Sequence, residues 1–284
     1  MQALARLLRS VPDAPADPAD PPSASVGGAD GRTTVGGAAA GSGTVRARSR
    51  PIRPLVQAWP ALVDLVLPAL CAGCAAPDRR WCSECAADLA AHTLARPRHT
   101  QPSPPRPDLP PVLTAGVYAG ALRTALVQLK DGGRADLREH LAPLLAAALR
   151  GSPRPPGLLV VPMPSSAAAV RRRGEAPVEA LARAAVALLP AAGRPRVVAA
   201  LQVTRRVADQ SELGIAARSA NVAGAYAARS RRVSGLAGRP VLLVDDVLTT
   251  GATLAEGTRA VRAAGGRVLG AAVVAATARR RSAG

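Results

Sequence analysis

Short apolar runs alternate with helical stretches along the second half of the chain, and this alternation limits the fold strongly. Four runs have the length and composition of strands, and four segments carry apolar residues every three or four positions, as helices do. The predicted strands are residues 158–164, 196–203, 241–246 and 267–277, and the predicted helices are residues 117–130, 135–150, 178–190 and 253–266. Strands separated by helices are typical of a parallel sheet covered by helices. The alternation therefore predicts an α/β domain, with a parallel twisted sheet flanked by helices, over residues 112–284.

The residues before this domain divide into three predicted segments. Residues 1–50 are rich in Pro, Ala, Gly, Asp and Ser, and they bury too little apolar surface to offset chain entropy, so we expect them to be disordered. Residues 51–95 contain an apolar helix and a cysteine cluster, and the proline-rich residues 96–111 are expected to form a linker. No uncharged run reaches the roughly 18 apolar residues of a membrane span. We therefore expect a cytoplasmic protein that makes no membrane contact.

The charge of the chain favours an anionic partner. The formal net charge is +18, and Lys130 is the only lysine beside many arginines. A strongly basic protein attracts phosphate groups and nucleic acids. The chain contains only two Trp and two Tyr and lacks Phe, so it offers few of the stacking platforms on which single strands usually bind.

The stretch VLLVDDVLTTGATL, residues 241–254, places two carboxylates at the end of a predicted buried strand. Asp245 and Asp246 are followed by a turn of small residues that opens a helix, namely Thr249, Thr250, Gly251, Ala252 and Thr253. Free N–H groups at a helix N-terminus bind phosphate, whereas carboxylates accept hydrogen bonds from neutral hydroxyl groups. The combination predicts a site for a ribose 5-phosphate. The alternative is that the pair only ends a strand in a domain that binds no nucleotide.

This stretch resembles the phosphoribosyl pyrophosphate (PRPP) motif of type I phosphoribosyltransferases. The resemblance implies that Asp245 and Asp246 hold the ribose 2- and 3-hydroxyl groups and that residues 249–253 cradle the 5-phosphate. It also implies a type I phosphoribosyltransferase fold and a Mg²⁺ ion that binds with PRPP. Residues 55–277 further resemble the ComF-like branch, which is linked to DNA uptake, through a cysteine cluster, LKDGGR, VVPMP and RRRGEAP. The family usually has Phe-Asn-Gln after the arginine-glycine pair, where this chain has Glu175, Ala176 and Pro177.

The resemblance extends the candidate site to other segments. Lys130, in LKDGGR, resembles the lysine of orotate phosphoribosyltransferases that reaches the PRPP region, and we predict a catalytic role for it beside Asp245 and Asp246. Pro164 and Ser165 occupy the place of the family's pyrophosphate loop, and residues 171–173 follow as three arginines. The family's catalytic loop corresponds to the segment with Arg206 and Gln210. The alternatives are a surface lysine at a helix end and a solvated arginine face.

Four cysteines form two C-x-x-C pairs separated by seven residues. They are Cys71, Cys74, Cys82 and Cys85, and they are all the cysteines of the chain. Four thiolates this close in sequence can surround one ion tetrahedrally and are typical of structural zinc. Disulfides are the competing interpretation, which a cytoplasmic location disfavours. The spacing therefore predicts a small zinc-ribbon-like module with a structural Zn²⁺.

Two functions are compatible with these patterns. The first is an enzyme that transfers the phosphoribosyl group of PRPP to an acceptor that the sequence does not identify. The second is a binding module on the same fold that senses PRPP or a nucleotide, or that works with nucleic acid or a protein of the DNA-uptake machinery. An oligomer is compatible with either function.

Overall fold

The computed structural model describes residues 69–204, 223–229 and 235–278. Within these ranges the α-helices are α1 (Ser83–Ala91), α2 (Gly120–Lys130), α3 (Arg138–Gly151), α4 (Ala167–Arg173), α5 (Pro177–Ala187) and α6 (Ala252–Ala263), and a short 3-10 helix (Ala135–Leu137) precedes α3. The strands are β1 (Thr93–Thr100), β2 (Val112–Val117), β3 (Leu159–Pro162), β4 (Arg196–Val197), β5 (Leu201–Val203), β6 (Tyr226–Ala228), β7 (Pro240–Leu248) and β8 (Arg267–Ala276). The predictions for residues 1–68, including the disordered segment and the apolar helix, lie outside the described residues. So does the predicted catalytic-loop segment with Arg206 and Gln210.

Six strands form one sheet in the order β1-β2-β8-β7-β3-β4. The pairs from β2 to β4 are all parallel, and only β1 joins its neighbour in the antiparallel direction. The predicted α/β class with a mainly parallel sheet is therefore confirmed for the described residues. Strand β7 lies inside the sheet between β8 and β3, which places its carboxyl end beside two parallel neighbours.

Apolar side chains cover both faces of this sheet. Along β7, Leu242 and Val244 belong to one buried cluster and Val241 and Leu243 to the other, as the alternation of side chains along a strand requires. Helices α2, α3 and α5 pack in the first cluster, and α6 packs in the second together with a separate two-stranded sheet of β5 and β6. Burial on both faces explains why the parallel strands have continuous apolar sequences.

The strand expected at residues 196–203 is divided into two. The N–H group of Val198 still donates to the Val160 carbonyl of β3 at 2.9 Å. The N–H group of Ala200 then donates to the Val198 carbonyl at 2.8 Å, which marks a tight turn. The chain leaves the main sheet at this turn, and Leu201 begins the pairing with β6. Periodicity did not reveal the break because the residues on both sides of it are apolar.

The proline-rich residues 96–111 are only in part an irregular connection. Residues 96–100 belong to β1, which pairs with β2 at the edge of the described sheet. Pro97 fits there because an edge strand does not need every N–H group for pairing. No helix in the described ranges combines the length and the apolar character that crossing a membrane demands.

Candidate functional site

Two adjacent carboxylates lie near the end of β7. Asp245 and Asp246 are both buried, with 7% and 6% of their surface exposed. Oδ1 of Asp245 accepts a hydrogen bond from the N–H group of Asp246, and Oδ1 of Asp246 accepts one from the N–H group of Val247, both at 2.9 Å. The strand continues past the pair to Leu248, because the parallel pairing with β8 extends that far. The pair therefore lies at the carboxyl edge of the sheet, where open α/β sheets bind their ligands.

The single lysine of the chain forms an ion pair with one of these carboxylates. Lys130 is the last residue of α2, and its Nζ lies 3.4 Å from Oδ2 of Asp246. The lysine side chain is 52% exposed, whereas that of Asp246 is 9% exposed. The negative charge of Asp246, and to a smaller extent that of Asp245, raises the pKa of Lys130 above its usual range. The fold thus brings together residues from two distant sequence motifs.

The second carboxylate lies near an aromatic residue, Tyr226, that was not among the predicted site residues. Burial, and after it the charge of Asp246, raises the pKa of Asp245 well above its usual range. Tyr226 on β6 is also buried, and burial together with the charge of Asp245 raises its pKa to about 12, although a hydrogen bond with the Thr253 side chain lowers it. The phenol therefore keeps its proton at neutral pH. The only signal for Tyr226 in the sequence is the scarcity of aromatic residues.

The turn after β7 enters α6 through a glycine in the left-handed region. Gly251 has φ +72° and directly precedes the first helical residue. A Cβ atom there would lie 3.1 Å from Cδ2 of Leu109, so glycine suits both the conformation and the space. Oγ1 of Thr250 accepts a hydrogen bond from the N–H group of Ala252 at 3.4 Å. The predicted phosphate-binding residues Thr249, Thr250, Gly251, Ala252 and Thr253 all fall in this turn and the start of α6.

The N-terminal end of α6 adds a favourable potential for an anion. Backbone N–H groups at the start of a helix carry partial positive charge and point out of the helix. Here the helix follows the strand that carries the two carboxylates after a turn of three residues, 249–251. An anion at the start of α6 would therefore lie beside, and not on top of, the acidic pair.

The end of β3 lies next to the acidic pair in the sheet. Pro162 of β3 is in register with Val244 of β7, and the N–H group of Met163 donates to the Val244 carbonyl at 2.8 Å. Pro164 and Ser165 follow directly and are partly exposed. The predicted pyrophosphate-loop residues therefore leave the sheet at the same edge as Asp245 and Asp246.

The arginines of α4 differ in their surroundings. Arg171 is exposed, whereas the Arg173 side chain is only 13% exposed and its Nη1 lies 3.7 Å from Oδ1 of Asp131. This Nη1 is buried and has no hydrogen-bond partner among the described residues. Arg173 thus points back towards the end of α2, next to Lys130. The alternative of a uniformly solvated arginine face does not describe Arg173.

The four cysteines are brought together in one cluster. The Sγ atoms of Cys71, Cys74, Cys82 and Cys85 all lie within 4.8 Å of one another. The four sulfurs of a tetrahedral zinc site with Zn–S bonds of about 2.3 Å lie roughly 3.8 Å apart, so the cluster fits one such ion. None of these four cysteines is paired in a disulfide. The cluster could therefore hold a metal ion such as zinc.

Backbone N–H groups favour a thiolate at Cys71. The Sγ of Cys71 accepts hydrogen bonds from the N–H groups of Gly73 and Cys82, each at 3.4 Å. Burial raises the pKa of Cys71, but hydrogen bonds from the backbone of Cys74, Gly73 and Cys82 outweigh it and lower the pKa to about 6. A thiolate is the form in which cysteine binds metals.

Known proteins resemble parts of this chain. Residues 168–283 match the family described as "Phosphoribosyl transferase domain". The adenine phosphoribosyltransferases of Rhodococcus jostii (strain RHA1) and Rhodococcus opacus (strain B4) are each 62% identical to the chain over 40 residues, which is 14% of this chain. The match spans 23% of the length of these curated relatives.

A solved structure aligns with more of the chain at lower similarity. It is an orotate phosphoribosyltransferase of Mycobacterium tuberculosis H37Rv in complex with Fe(III) dicitrate, with 18% identity over 68% of this chain and 82% of that chain and a TM-score of 0.30. The family match is the finding that bears on the site, because it includes β7, the turn after it and α6. The residues that match this family, 168–283, thus include the acidic pair.

Proposed function

We propose that the protein binds PRPP at the carboxyl edge of its sheet and transfers the phosphoribosyl group to an acceptor. The observation that carries this proposal is the buried pair Asp245 and Asp246, which stands directly before a glycine turn and a helix N-terminus within a phosphoribosyl transferase domain. The carboxylates accept hydrogen bonds from the ribose 2- and 3-hydroxyl groups. The start of α6 holds the 5-phosphate, with Gly251 giving it close access to the backbone.

The chemistry requires a site that stabilises a departing polyanion. A nucleophilic atom of the acceptor forms a bond to the anomeric carbon, and the bond from that carbon to pyrophosphate breaks, with both electrons leaving on pyrophosphate. Lys130 supplies a cation close to Asp246, and Pro164 and Ser165 line the side on which pyrophosphate departs. A bound Mg²⁺ ion would neutralise further charge on the phosphate groups. Preorganised charges of this kind stabilise the transition state.

The acceptor is a separate question. The curated relatives are named for adenine, but the match covers less than a quarter of their length. Glu175, Ala176 and Pro177 stand where the ComF-like branch, which the chain resembles, usually has Phe-Asn-Gln. We infer a place in the ComF-like branch from the cysteine cluster before the domain, and with it a role in DNA uptake.

A structural zinc ion is part of the proposal. The four sulfurs lie close enough for one tetrahedral ion, and the four thiol groups leave no position for a reacting ligand. In a closed site of this kind the cysteines stabilise the fold around them and take no part in the transfer.

The proposal is tested by calorimetric titration of PRPP with Mg²⁺ into the protein. We expect the Asp245→Asn, Asp246→Asn double variant to bind PRPP about 30- to 150-fold more weakly. Hydrogen bonds to charged groups contribute about 1.5–3 kcal/mol and neutral ones about 0.5–1.5 kcal/mol, so each replacement costs about 1 to 1.5 kcal/mol. The matched control is Asp78→Asn, at an exposed position with φ +64° that asparagine tolerates. An unchanged affinity in the double variant would exclude the assignment of the ribose site.

A non-catalytic alternative is supported by the charge of the chain. A basic binding module on this fold would bind PRPP or a nucleotide, or associate with nucleic acid, without transfer. Release of pyrophosphate in the presence of candidate acceptors distinguishes the two functions once PRPP binding has been measured.

A further inference from the structure

The N-terminal end of α2 is held by the cysteine-bearing part of the chain. Asp88 lies on α1, the helix that contains Cys85, and its carboxylate accepts a hydrogen bond from the N–H group of Ala121. Helix α2 has no side-chain cap of its own, because its capping residue is Ala119. A cap from a neighbouring element therefore satisfies this helix end. The position of α2 depends on α1 at this contact.

The C-terminal end of α2 is held by an arginine four residues beyond Lys130. Arg134 donates through Nη1 to the Leu70 carbonyl at 3.1 Å and through Nη2 to the Arg80 carbonyl at 2.8 Å. The same guanidinium forms two bonds with Asp136, at 2.9 and 2.8 Å, and only 26% of the side chain is exposed. Its donors are thus divided between its own loop and the segment that carries the first three cysteines.

The two carbonyl groups that Arg134 binds lie beside metal-ligand candidates. Leu70 directly precedes Cys71, and Arg80 is followed by Trp81 and then Cys82. The Arg80 carbonyl also accepts the N–H group of Ala72 at 3.0 Å, which ties the two cysteine pairs to each other. The geometry of the cysteine cluster therefore fixes the separation of the two acceptors.

A ring contact extends the same interface. The Trp81 ring stacks on His140 of α3, with ring centroids 5.5 Å apart and an interplanar angle of 26°. Together with Asp88 and Arg134, this contact attaches the cysteine-bearing segment to α2 and α3. The segment is thus packed against the helices that precede the sheet edge with Asp246.

We propose that the four-cysteine centre positions Lys130, so that metal binding by the cysteines sets the Lys130–Asp246 ion pair and with it the affinity for PRPP. Arg134 is the positioning residue of this coupling. The proposal rests on the proposed function for the link to PRPP, but the coupling to the ion pair stands by itself.

The physical argument is that four cysteines bound to one ion have little freedom. The Leu70 and Arg80 carbonyls then stay where both can accept hydrogen bonds from the Arg134 guanidinium. The loop that joins Lys130 to Arg134 is thereby held in place at Arg134. Without the ion, the two cysteine pairs are no longer joined through their sulfurs, and Arg134 can lose one acceptor or both. The lysine Nζ, at the end of a flexible side chain, then spends less time 3.4 Å from Asp246.

The experiment uses the presence of only one lysine in the chain. Lysine-selective ¹³C labelling gives a single set of side-chain signals, and the ¹H–¹³C correlation of the Lys130 Cε reports its surroundings. The Asp246→Asn variant gives the signal position of the unpaired lysine. Zinc content, measured by atomic emission, is followed in every sample, and far-UV circular dichroism reports whether the domain is folded.

We expect the signal of the zinc-loaded Arg134→Gln variant to move from the wild-type position towards that of Asp246→Asn. Chelation of zinc from the wild-type protein should move it in the same direction. The control is Arg183→Gln, which removes an arginine from an i,i+4 ion pair with Glu179 on α5, and its signal should stay at the wild-type position. PRPP affinity should fall about 10-fold in Arg134→Gln, as is typical of coupling between sites.

A Lys130 signal that stays at the wild-type position in folded, zinc-loaded Arg134→Gln would overturn the proposal. This variant keeps the test decisive if chelation unfolds the domain. A signal that moves in a protein without measurable PRPP affinity would support the coupling and contradict the proposed function alone.

Discussion

The burial of Asp245 lowers the free energy of unfolding at neutral pH. Its pKa is raised in the folded protein by burial and by the charge of Asp246. The folded state therefore binds this proton more tightly than the unfolded chain does, and the free energy of unfolding falls as the pH rises through the interval between the two pKa values. If Asp245 binds ribose as proposed, binding and not stability determines its identity, and the unfavourable environment is retained for that reason.

We therefore expect Asp245→Asn to be more stable than the wild type near pH 7, by about 1 kcal/mol. Asparagine can still accept the N–H group of Asp246 and does not ionise. The advantage should disappear below about pH 4, the ordinary pKa of an aspartate, where both proteins carry a neutral group. Urea unfolding at several pH values measures the difference, with Asp78→Asn as the control. An advantage of equal size at all pH values would contradict this account.

The sequence alone predicted part of the candidate site. Asp245, Asp246 and the threonine turn are contiguous, so a local pattern was sufficient to find them. Lys130 was selected by its rarity and by its motif, and the structure adds the distance to Asp246. Tyr226 could not be found in this way, because its proximity to Asp245 depends on the pairing of β5 with β6, which no local pattern specifies.

At the scale of elements, an ion pair between a buried glutamate and an exposed arginine attaches the β5–β6 hairpin to α6. Glu256 is buried, accepts the N–H group of Tyr226 at 3.2 Å, and pairs with Arg259 at 2.7 Å. Arg259 in turn donates to the Tyr226 carbonyl at 2.9 Å. One residue of the hairpin is thus held through both of its backbone groups by adjacent turns of the helix that starts at the proposed phosphate site.

We expect Glu256→Ala to lower the free energy of unfolding by about 1–3 kcal/mol, because it leaves the buried N–H group of Tyr226 without its acceptor. Hydrogen exchange of the β5 and β6 amides should accelerate more than that of β7. The matched control is Glu179→Ala, which breaks an i,i+4 pair with the exposed Arg183 and should change stability by less than about 0.5 kcal/mol. Equal effects of the two variants would show that the Glu256 contacts do not hold the hairpin.

The elements that the sequence predicted best are those with strong periodicity. The helices from residues 138 to 151 and 252 to 263 and the two long inner strands lie close to their predicted ranges. Strands β1, β2 and β6 were not predicted. The β1 sequence TLARPRHT has no alternation of apolar and polar residues, and it is recognised as a strand only through its pairing with β2. Helix α4 was missed because it is short and its three arginines resemble a solvated run.

At the scale of the whole molecule, the net charge of +18 predicts association with nucleic acid that depends on salt. For about six phosphate contacts, the affinity for duplex DNA should fall about 10³-fold between roughly 50 and 200 mM salt. Fluorescence anisotropy with duplexes of unrelated sequence measures this dependence. An affinity that is nearly independent of salt, or that differs strongly between the duplexes, would instead indicate a specific interface.

The pairing of the chain's single lysine with Asp246 also determines how the protein reacts with acylating reagents. Acylation requires the neutral amine, and the raised pKa of Lys130 keeps that form scarce at neutral pH. The only side-chain amine of the protein is therefore both slow to react and located at the proposed site. An ester-activated label or crosslinker that does attach to this side chain would report the opening of one ion pair, and surfaces that capture proteins through lysine would hold this molecule by its candidate active site.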